Sequence, residues 1–193
     1  MIAFYKKFLL FLGVTTLFCL STSIVWSETM GDLIWRDGIY YKKFSDIPFS
    51  GKVNGDIKGL FKNGKKEGTW VRYYKNGQLF SVSNYKMGRK DGAWITYSNK
   101  GMFIEKGLYK NDLEEGPWIR FFENGEINYK GDFINGKKVG PWIAYHFNGQ
   151  LEYKGSFKNG KKDGIWEYYS PNGSQYEEHS GIYKNGKKVS GKT

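Results

Sequence analysis

Beyond residue 58, apolar and polar side chains alternate over short runs, the two-residue period of a β-strand and not the period of a helix. In 151–158, Leu151, Tyr153, Gly155 and Phe157 fall on one side and Glu152, Lys154, Ser156 and Lys158 on the other, which predicts a strand with one dry and one wet face. In the run before it, Trp142, Ala144 and His146 share a side opposite Ile143 and Tyr145, so both sides carry apolar weight.

This pair of runs recurs. Tryptophans stand at Trp70, Trp94, Trp118, Trp142 and Trp166, 24 residues apart each time, and the rest of the unit keeps the same register. A glycine precedes each tryptophan by two positions (Gly68, Gly92, Gly116, Gly140, Gly164) and an aromatic follows by three (Tyr73, Tyr97, Phe121, Tyr145, Tyr169). Gly77, Gly101, Gly125, Gly149 and Gly173 come seven positions after, behind asparagine in all units but the one with Lys100. The unit closes on Tyr85, Tyr109, Phe133, Phe157 and, after a slip of two residues, Tyr183. Gly107, Gly131 and Gly155 lie two positions before the closing aromatic. A glycine inside a strand marks a place where another group crowds the backbone, and a neighbouring aromatic ring is expected there.

Each unit therefore reads as a β-hairpin: a tryptophan strand, an Asn-Gly turn, a second strand, and a turn such as Lys158-Asn159-Gly160-Lys161-Lys162-Asp163-Gly164 leading into the next unit. The Asn-Gly seven residues after tryptophan is expected to form a type I′ turn, in which both central residues need positive φ. Pro117 and Pro141 stand at first strand positions, where a missing N–H costs the ladder little. Laid side by side, such hairpins predict an all-β fold, an elongated antiparallel meander that advances about 10 Å per unit. The repeats occupy 59–193. Residues 28–58 fall outside the register and are expected to cap the array, with a turn at Arg36-Asp37-Gly38 and strands near 39–44 and 49–53. The residues after Lys188 predict a frayed tail.

Residues 1–27 have the pattern of a secretory signal: Lys6 and Lys7, an uncharged apolar stretch from Phe8 to Leu20, then small residues. Cleavage is expected after Ser27, with Ser21-Thr22-Ser23 as a second site; an uncleaved anchor spanning 8–26 is the alternative. The only cysteine, Cys19, lies inside this stretch behind Leu17 and Phe18, an unsuitable setting for lipid attachment. The exported part is thus without disulfides or thiolate metal sites and must be held by packing and pairing. Composition agrees, with 36 aromatics and 26 glycines against four prolines. The net charge of +11 falls only to +9 when the signal is set aside.

The run from Gly140 to Leu151, continued from Lys154 to Gly164, resembles the bacterial variant of the MORN repeat, and five units in one register carry the resemblance over about two thirds of the chain. Pro48-Phe49-Ser50-Gly51-Lys52 resembles the lead-in of YwqK-type antitoxins. The resemblance implies a hairpin meander whose role is binding, with proteins, self-association and anionic lipids as the partners proposed for such repeats. An export signal sits poorly with a cytosolic antitoxin.

Nothing in the repeat points to catalysis. His146 takes a variable position that is Tyr74, Ser98, Phe122 and Ser170 in the other units, and His179 follows Glu177 and Glu178 where the last unit slips. Neither belongs to a catalytic or metal constellation, and no cofactor is expected. The five tryptophans are read as the core, with stacking on an envelope glycan as the alternative. The Asn172-Gly173-Ser174 sequon coincides with a hairpin turn. Doubled bases recur before each tryptophan strand and in the tail: Lys65-Lys66, Arg89-Lys90, Lys137-Lys138, Lys161-Lys162 and Lys187-Lys188, with Glu114-Glu115 breaking the row. They are expected to line one sheet edge and attract anions, or else to keep the turns soluble. The sequence thus predicts a non-enzymatic, exported (periplasmic, cell-surface or secreted) protein-interaction scaffold that docks on an anionic envelope component or peripherally on a membrane. Nucleic acid is excluded as a partner, and oligomeric state is left open. The alternative functions are an antitoxin-like protein that neutralises a toxin by binding and a glycan binder.

Overall fold

The structure, a computed structural model, describes residues 27–191. The expected signal segment, apart from Ser27, and the last two residues lie outside them. The strands are β1 (Glu28–Thr29), β2 (Leu33–Arg36), β3 (Ile39–Lys42), β4 (Gly51–Asn54), β5 (Ile57–Lys62), β6 (Lys65–Tyr73), β7 (Leu79–Lys86), β8 (Arg89–Tyr97), β9 (Phe103–Lys110) and β10 (Leu113–Phe121). They continue with β11 (Ile127–Ile134), β12 (Lys137–Tyr145), β13 (Leu151–Lys158), β14 (Lys161–Lys162), β15 (Gly164–Tyr168), β16 (Gly181–Lys184) and β17 (Lys187–Ser190). From β4 onward each strand pairs antiparallel with its successor, β14 and β15 sharing the far side of β13. At the N-terminal end β1 adds a parallel strand against β4, with Glu28 opposite Val53. The ribbon β2–β3 stands apart from the sheet. The result is the meander of consecutive hairpins that the alternation predicts.

The two kinds of turn exchange the roles the sequence suggests. Positive φ at both central residues belongs to the turns that join units, Asn63-Gly64, Met87-Gly88, Asn111-Asp112, Asn135-Gly136, Asn159-Gly160 and Asn185-Gly186. These are the two-residue turns. At Asn76-Gly77, Asn124-Gly125 and Asn148-Gly149 the asparagine keeps negative φ and only the glycine is positive. There Gly149 N–H donates to His146 O, 2.9 Å, and His146 N–H to Gln150 O, 2.8 Å, a type I turn closed by a glycine bulge. The expected type I′ turn after tryptophan is therefore corrected. The same dipeptide serves both sites because asparagine is tolerant of αL and also makes a local side-chain bond, here Asn148 Oδ1 accepting from Gln150 N–H. His146 consequently opens the turn and is not a strand residue.

The glycine two positions before tryptophan marks a bulge. Between the pairs Asp132↔Val139 and Lys130↔Ile143 the register shifts, and Gly140 lies in that stretch at φ +61°, a conformation that excludes most side chains. The bulge carries the strand from the turn into the tryptophan row with Lys138 and Trp142 on the same face.

That face is a ladder of rings. Trp94, Tyr109, Trp118, Phe133, Trp142, Phe157 and Trp166 follow one another at centroid separations of 4.8 to 5.8 Å, mostly edge to face. A shorter run, Tyr40, Phe61, Trp70 and Tyr85, ends the ladder at the N-terminal side. Leu33, Val53 and Phe61 bury Trp70 there, with Met30, Tyr40 and Phe49 packed around them. Tyr40 N–H donates to Gly64 O and Gly64 N–H to Phe49 O, tying ribbon, lead-in and first turn together.

Successive units are also bonded at both margins. On the joining-turn side Gly88, Asp112, Gly136, Gly160 and Gly186 donate backbone N–H to Lys66, Lys90, Glu114, Lys138 and Lys162 carbonyls at 2.8 to 2.9 Å. On the other side Asn76, Asn124 and Asn148 Nδ2 donate to the carbonyls of Asn99, Phe147 and Pro171. Tyr74 Oη donates to Tyr97 O, and the His146 ring Nε2 lies 2.7 Å from Tyr169 O, the same unit-to-unit bridge with a different side chain.

Candidate interaction surface

Alternation divides every strand between two faces, and the two differ in what they leave open. The ladder face is sealed. Trp70, Trp118, Trp142 and Trp166 are buried, each at 5 % exposure or less. Three of their edges are bonded: Trp142 Nε1 donates to Asp132 O, Trp166 Nε1 to Ser156 O and Trp118 Nε1 to Glu105 Oε1, while Trp70 Nε1 is buried without a hydrogen-bond partner among the described residues. Glycine makes room beneath. Gly107, Gly131 and Gly155 lie under Trp118, Trp142 and Trp166, and Gly59, which repeat spacing alone did not bring out, lies under Trp70. In the second unit Ser83 replaces that glycine opposite Trp94, and Trp94 is the half-buried member of the row. Rings buried to this degree have no open side for a sugar to stack on.

Lysines complete the seal, and here the expected basic edge divides. In each doubled base within the repeats the second residue turns onto the ladder. Lys66, Lys90, Lys138 and Lys162 hold Nζ 4.5, 4.1, 4.0 and 5.1 Å from the ring centroids of Trp70, Trp94, Trp142 and Trp166. Burial pushes the ammonium groups of Lys66, Lys138 and Lys162 below the ordinary lysine range, with Arg72 and Lys90 adding repulsion at Lys66. Glu114 takes this place in the third unit. Beside it burial pushes the Tyr109 hydroxyl up to about 12, and the Glu114 carboxylate adds to the shift. Adjacent residues of a strand point to opposite faces, so the doubled bases are not pairs. In the tail, Lys188 instead donates to the carbonyls of Glu177 and Glu178.

The first member of each doublet, Lys65, Arg89, Lys137, Lys161 and Lys187, is exposed on the other face. Its two-residue turn sets it directly across from the last residue of the preceding strand. The pairs are Lys62↔Lys65, Lys86↔Arg89, Lys158↔Lys161 and Lys184↔Lys187, and in the middle Lys110↔Leu113 and Ile134↔Lys137. Lys62, Lys86, Lys110, Lys158 and Lys184 were not among the bases the sequence singled out. Their signal was the lysine directly before each turn, legible only once the turn is known to hold two residues. Across the first two units Lys65, Lys86, Arg89 and Lys110 border a cleft of about 780 Å³ that also holds Asp91 and, from the third, Glu115.

Beside this cationic ledge the same face forms a groove of about 1080 Å³, floored by Ala93, Ile95, Leu108, Pro117, Ile119, Pro141, Ile143 and Ile165. One row runs straight across the strands as Ile95, Lys106, Ile119, Lys130, Ile143, Lys154, Glu167, each residue paired with the next. Lys154 Nζ lies 2.6 Å from Glu167 Oε2. Lys106 and Lys130 are exposed and form no ion pair among the described residues.

The remaining candidates lie in turns and loops or lead into a strand. His179 sits in the loop before β16, its N–H donating to Tyr176 O, and no cluster of metal-binding side chains occurs among the described residues. Asn172 Oδ1 accepts from Ser174 N–H inside its turn. Pro48–Lys52 leads into β4, with the Phe49 ring packed on Gly51.

Residues 66–87, 114–135 and 138–159 match the MORN repeat variant. The unit between the first two matches carries Lys100 before its turn glycine and Asn111-Asp112 in its joining turn, and the last unit carries the two-residue slip. No curated protein matches the chain.

Proposed function

We propose that this array of MORN repeat variants is a non-enzymatic, exported scaffold that binds a protein partner along one face of its sheet. The contrast between the faces carries the reading. One face is closed by its own tryptophans and lysines, and the other leaves isoleucines and prolines in a groove beside a ledge of cations. An apolar floor within a charged rim is the composition of a protein-binding patch. Affinity capture from envelope fractions with the chain and with its Ile119→Ser/Ile143→Ser variant tests this. A partner retained by the first and lost by the second, at similar thermal stability, is the expected result; equal retention by both excludes the groove.

A second reading, docking on anionic envelope or membrane surfaces, is supported by the like-charged pairs of the ledge. Two lysines directly opposite in a sheet repel and cost stability, so a row of them is better matched to an anionic surface than to a free edge. Co-sedimentation with anionic and neutral liposomes at about 50 and about 500 mM salt changes the screening length severalfold. Salt-sensitive binding to anionic vesicles alone supports this reading, and no binding at low salt reduces the ledge to a solubility device. An antitoxin-like role, for which the Pro48–Lys52 lead-in speaks, is a special case of the first reading with a single tight partner.

A further inference from the structure

We infer that the groove takes an amphipathic α-helix laid across the strands, its apolar side on Ile95, Ile119 and Ile143 and its acidic residues spaced seven apart. The inference rests on the reading of this face as protein-binding and adds the shape and charge of the partner.

The argument is one of spacing. Lys106 and Lys130 lie on β9 and β11, separated by β10, and Lys154 follows on β13. Strands in a sheet are about 4.8 Å apart, so the lysines recur about every 9.6 Å across the groove. Helical residues rise about 1.5 Å each, so carboxylates seven positions apart lie about 10.5 Å apart on one side of a helix. An extended segment rises about 3.3 Å per residue and needs three residues to cover the same distance, which turns the third side chain to the opposite face. A helix therefore meets successive lysines with one stripe, and a strand does not. The isoleucines alternate with the lysines in the same row, one strand spacing of about 4.8 Å from each, so the residues three or four positions from each carboxylate must be apolar. The partner has to be acidic because Lys106 and Lys130 have no ion-pair partner among the described residues and the ledge alongside is cationic. Adjacent strands rotate by about 20°, so a straight helix follows the row for about two heptads before the sheet turns away.

The test uses the purified chain and three labelled helical peptides of about 18 residues: one with leucines on one side and glutamates every seventh position, one of the same composition with the glutamates scattered around the helix, and one with lysines replacing the glutamates. Fluorescence anisotropy is expected to give at least tenfold tighter binding of the phased acidic peptide than of the scattered one. Lys106→Glu/Lys130→Glu, at exposed positions and checked for unchanged thermal stability, is expected to lose at least tenfold for the acidic peptide and to gain the lysine peptide. Equal binding of phased and scattered peptides, or affinity unmoved by the double reversal, overturns the inference. So does the case in which no peptide binds and phosphatidylglycerol vesicles bind the wild type but not the double variant, because the face then serves a lipid surface. If a groove-dependent protein is captured but the phased peptide does not bind, the helix falls and the protein-binding reading stands; if nothing is captured through the groove, that reading falls with it.

Discussion

The indole of Trp142 lies directly on the backbone of Gly131: a Cβ built at position 131 comes within 2.3 Å of the ring. The same contact recurs at Trp118 over Gly107 and Trp166 over Gly155, so the ladder advances by seating each large ring on a residue with no side chain. A methyl group at 131 must displace a buried ring or bend a strand. Gly131→Ala is expected to cost about 1–3 kcal/mol, the range for overpacking a filled core, and to lower Tm by about 2–12 °C for a chain of this size. Gly191→Ala, with open space around it, is expected to stay within about 0.5 kcal/mol. Thermal melts of the two variants decide it, and equal melting temperatures contradict the packing account.

Met87 offers the opposite experiment. It occupies the first central position of a two-residue turn at φ +50°, where all five other joining turns place asparagine, and its side chain is 68 % exposed. A long side chain in the left-handed region costs about 1–2 kcal/mol, a cost that asparagine largely avoids. Met87→Asn is expected to stabilise the chain by about 0.5–1 kcal/mol, read from the urea midpoint at unchanged slope. An unchanged midpoint argues against type I′ geometry at this joint.

The ledge predicts a trade between stability and binding. Lys158 and Lys161 are direct cross-strand partners. Lys158→Glu converts repulsion to attraction and is expected to stabilise the fold by about 0.2–1 kcal/mol, with the gain shrinking in high salt, while lowering co-sedimentation with anionic vesicles. If the variant gains stability and loses no vesicle binding, this pair is not part of an anion-binding surface.

Alkaline titration tests the seal over the ladder. Burial, aided by Glu114, raises the Tyr109 hydroxyl from 10.0 to about 12, and burial raises Tyr168 as well. The fold favours the neutral phenol, so this stabilisation is whole below pH 10 and is lost as pH rises through about 12. Lys66, Lys138 and Lys162 work in the other direction, because their depressed values penalise the folded state at neutral pH and the penalty is relieved on approach to 10.5. Phenolate absorbance is expected to resolve a group of tyrosines that ionise late and together with loss of structure. A single transition near pH 10 with the fold intact contradicts burial of these hydroxyls.

The repeat was legible in the sequence because the ladder permits so few residues. The tryptophan, the glycine beneath it and the closing aromatic have to keep one spacing for ring to follow ring, and periodicity is how a sequence records that demand. The joining turns were harder, since Asn-Gly appears at both ends of each hairpin and only the pairing distinguishes a two-residue turn from a longer one. The division of the lysine doublets was implicit in alternation, but the adjacency of Lys65 and Lys66 suggested a pair where the strand sends them to opposite sides. The cationic ledge was hidden for a related reason: Lys158 meets Lys161 only after the turn between them has closed. Ser83, finally, breaks the glycine series at one unit, and only the structure relates it to the more open position of Trp94.

The bonds along the two margins of the array join a residue to one about a unit further along, Asn124 to Phe147, Asn148 to Pro171, Lys138 to Gly160. Duplication or loss of one 24-residue stretch would leave each surviving bond with its proper partner and both ends of the array untouched. The lineage of such a molecule can therefore copy or delete units without redesigning a core, and the length of its groove becomes a trait that drifts or is selected independently of the stability of its ends.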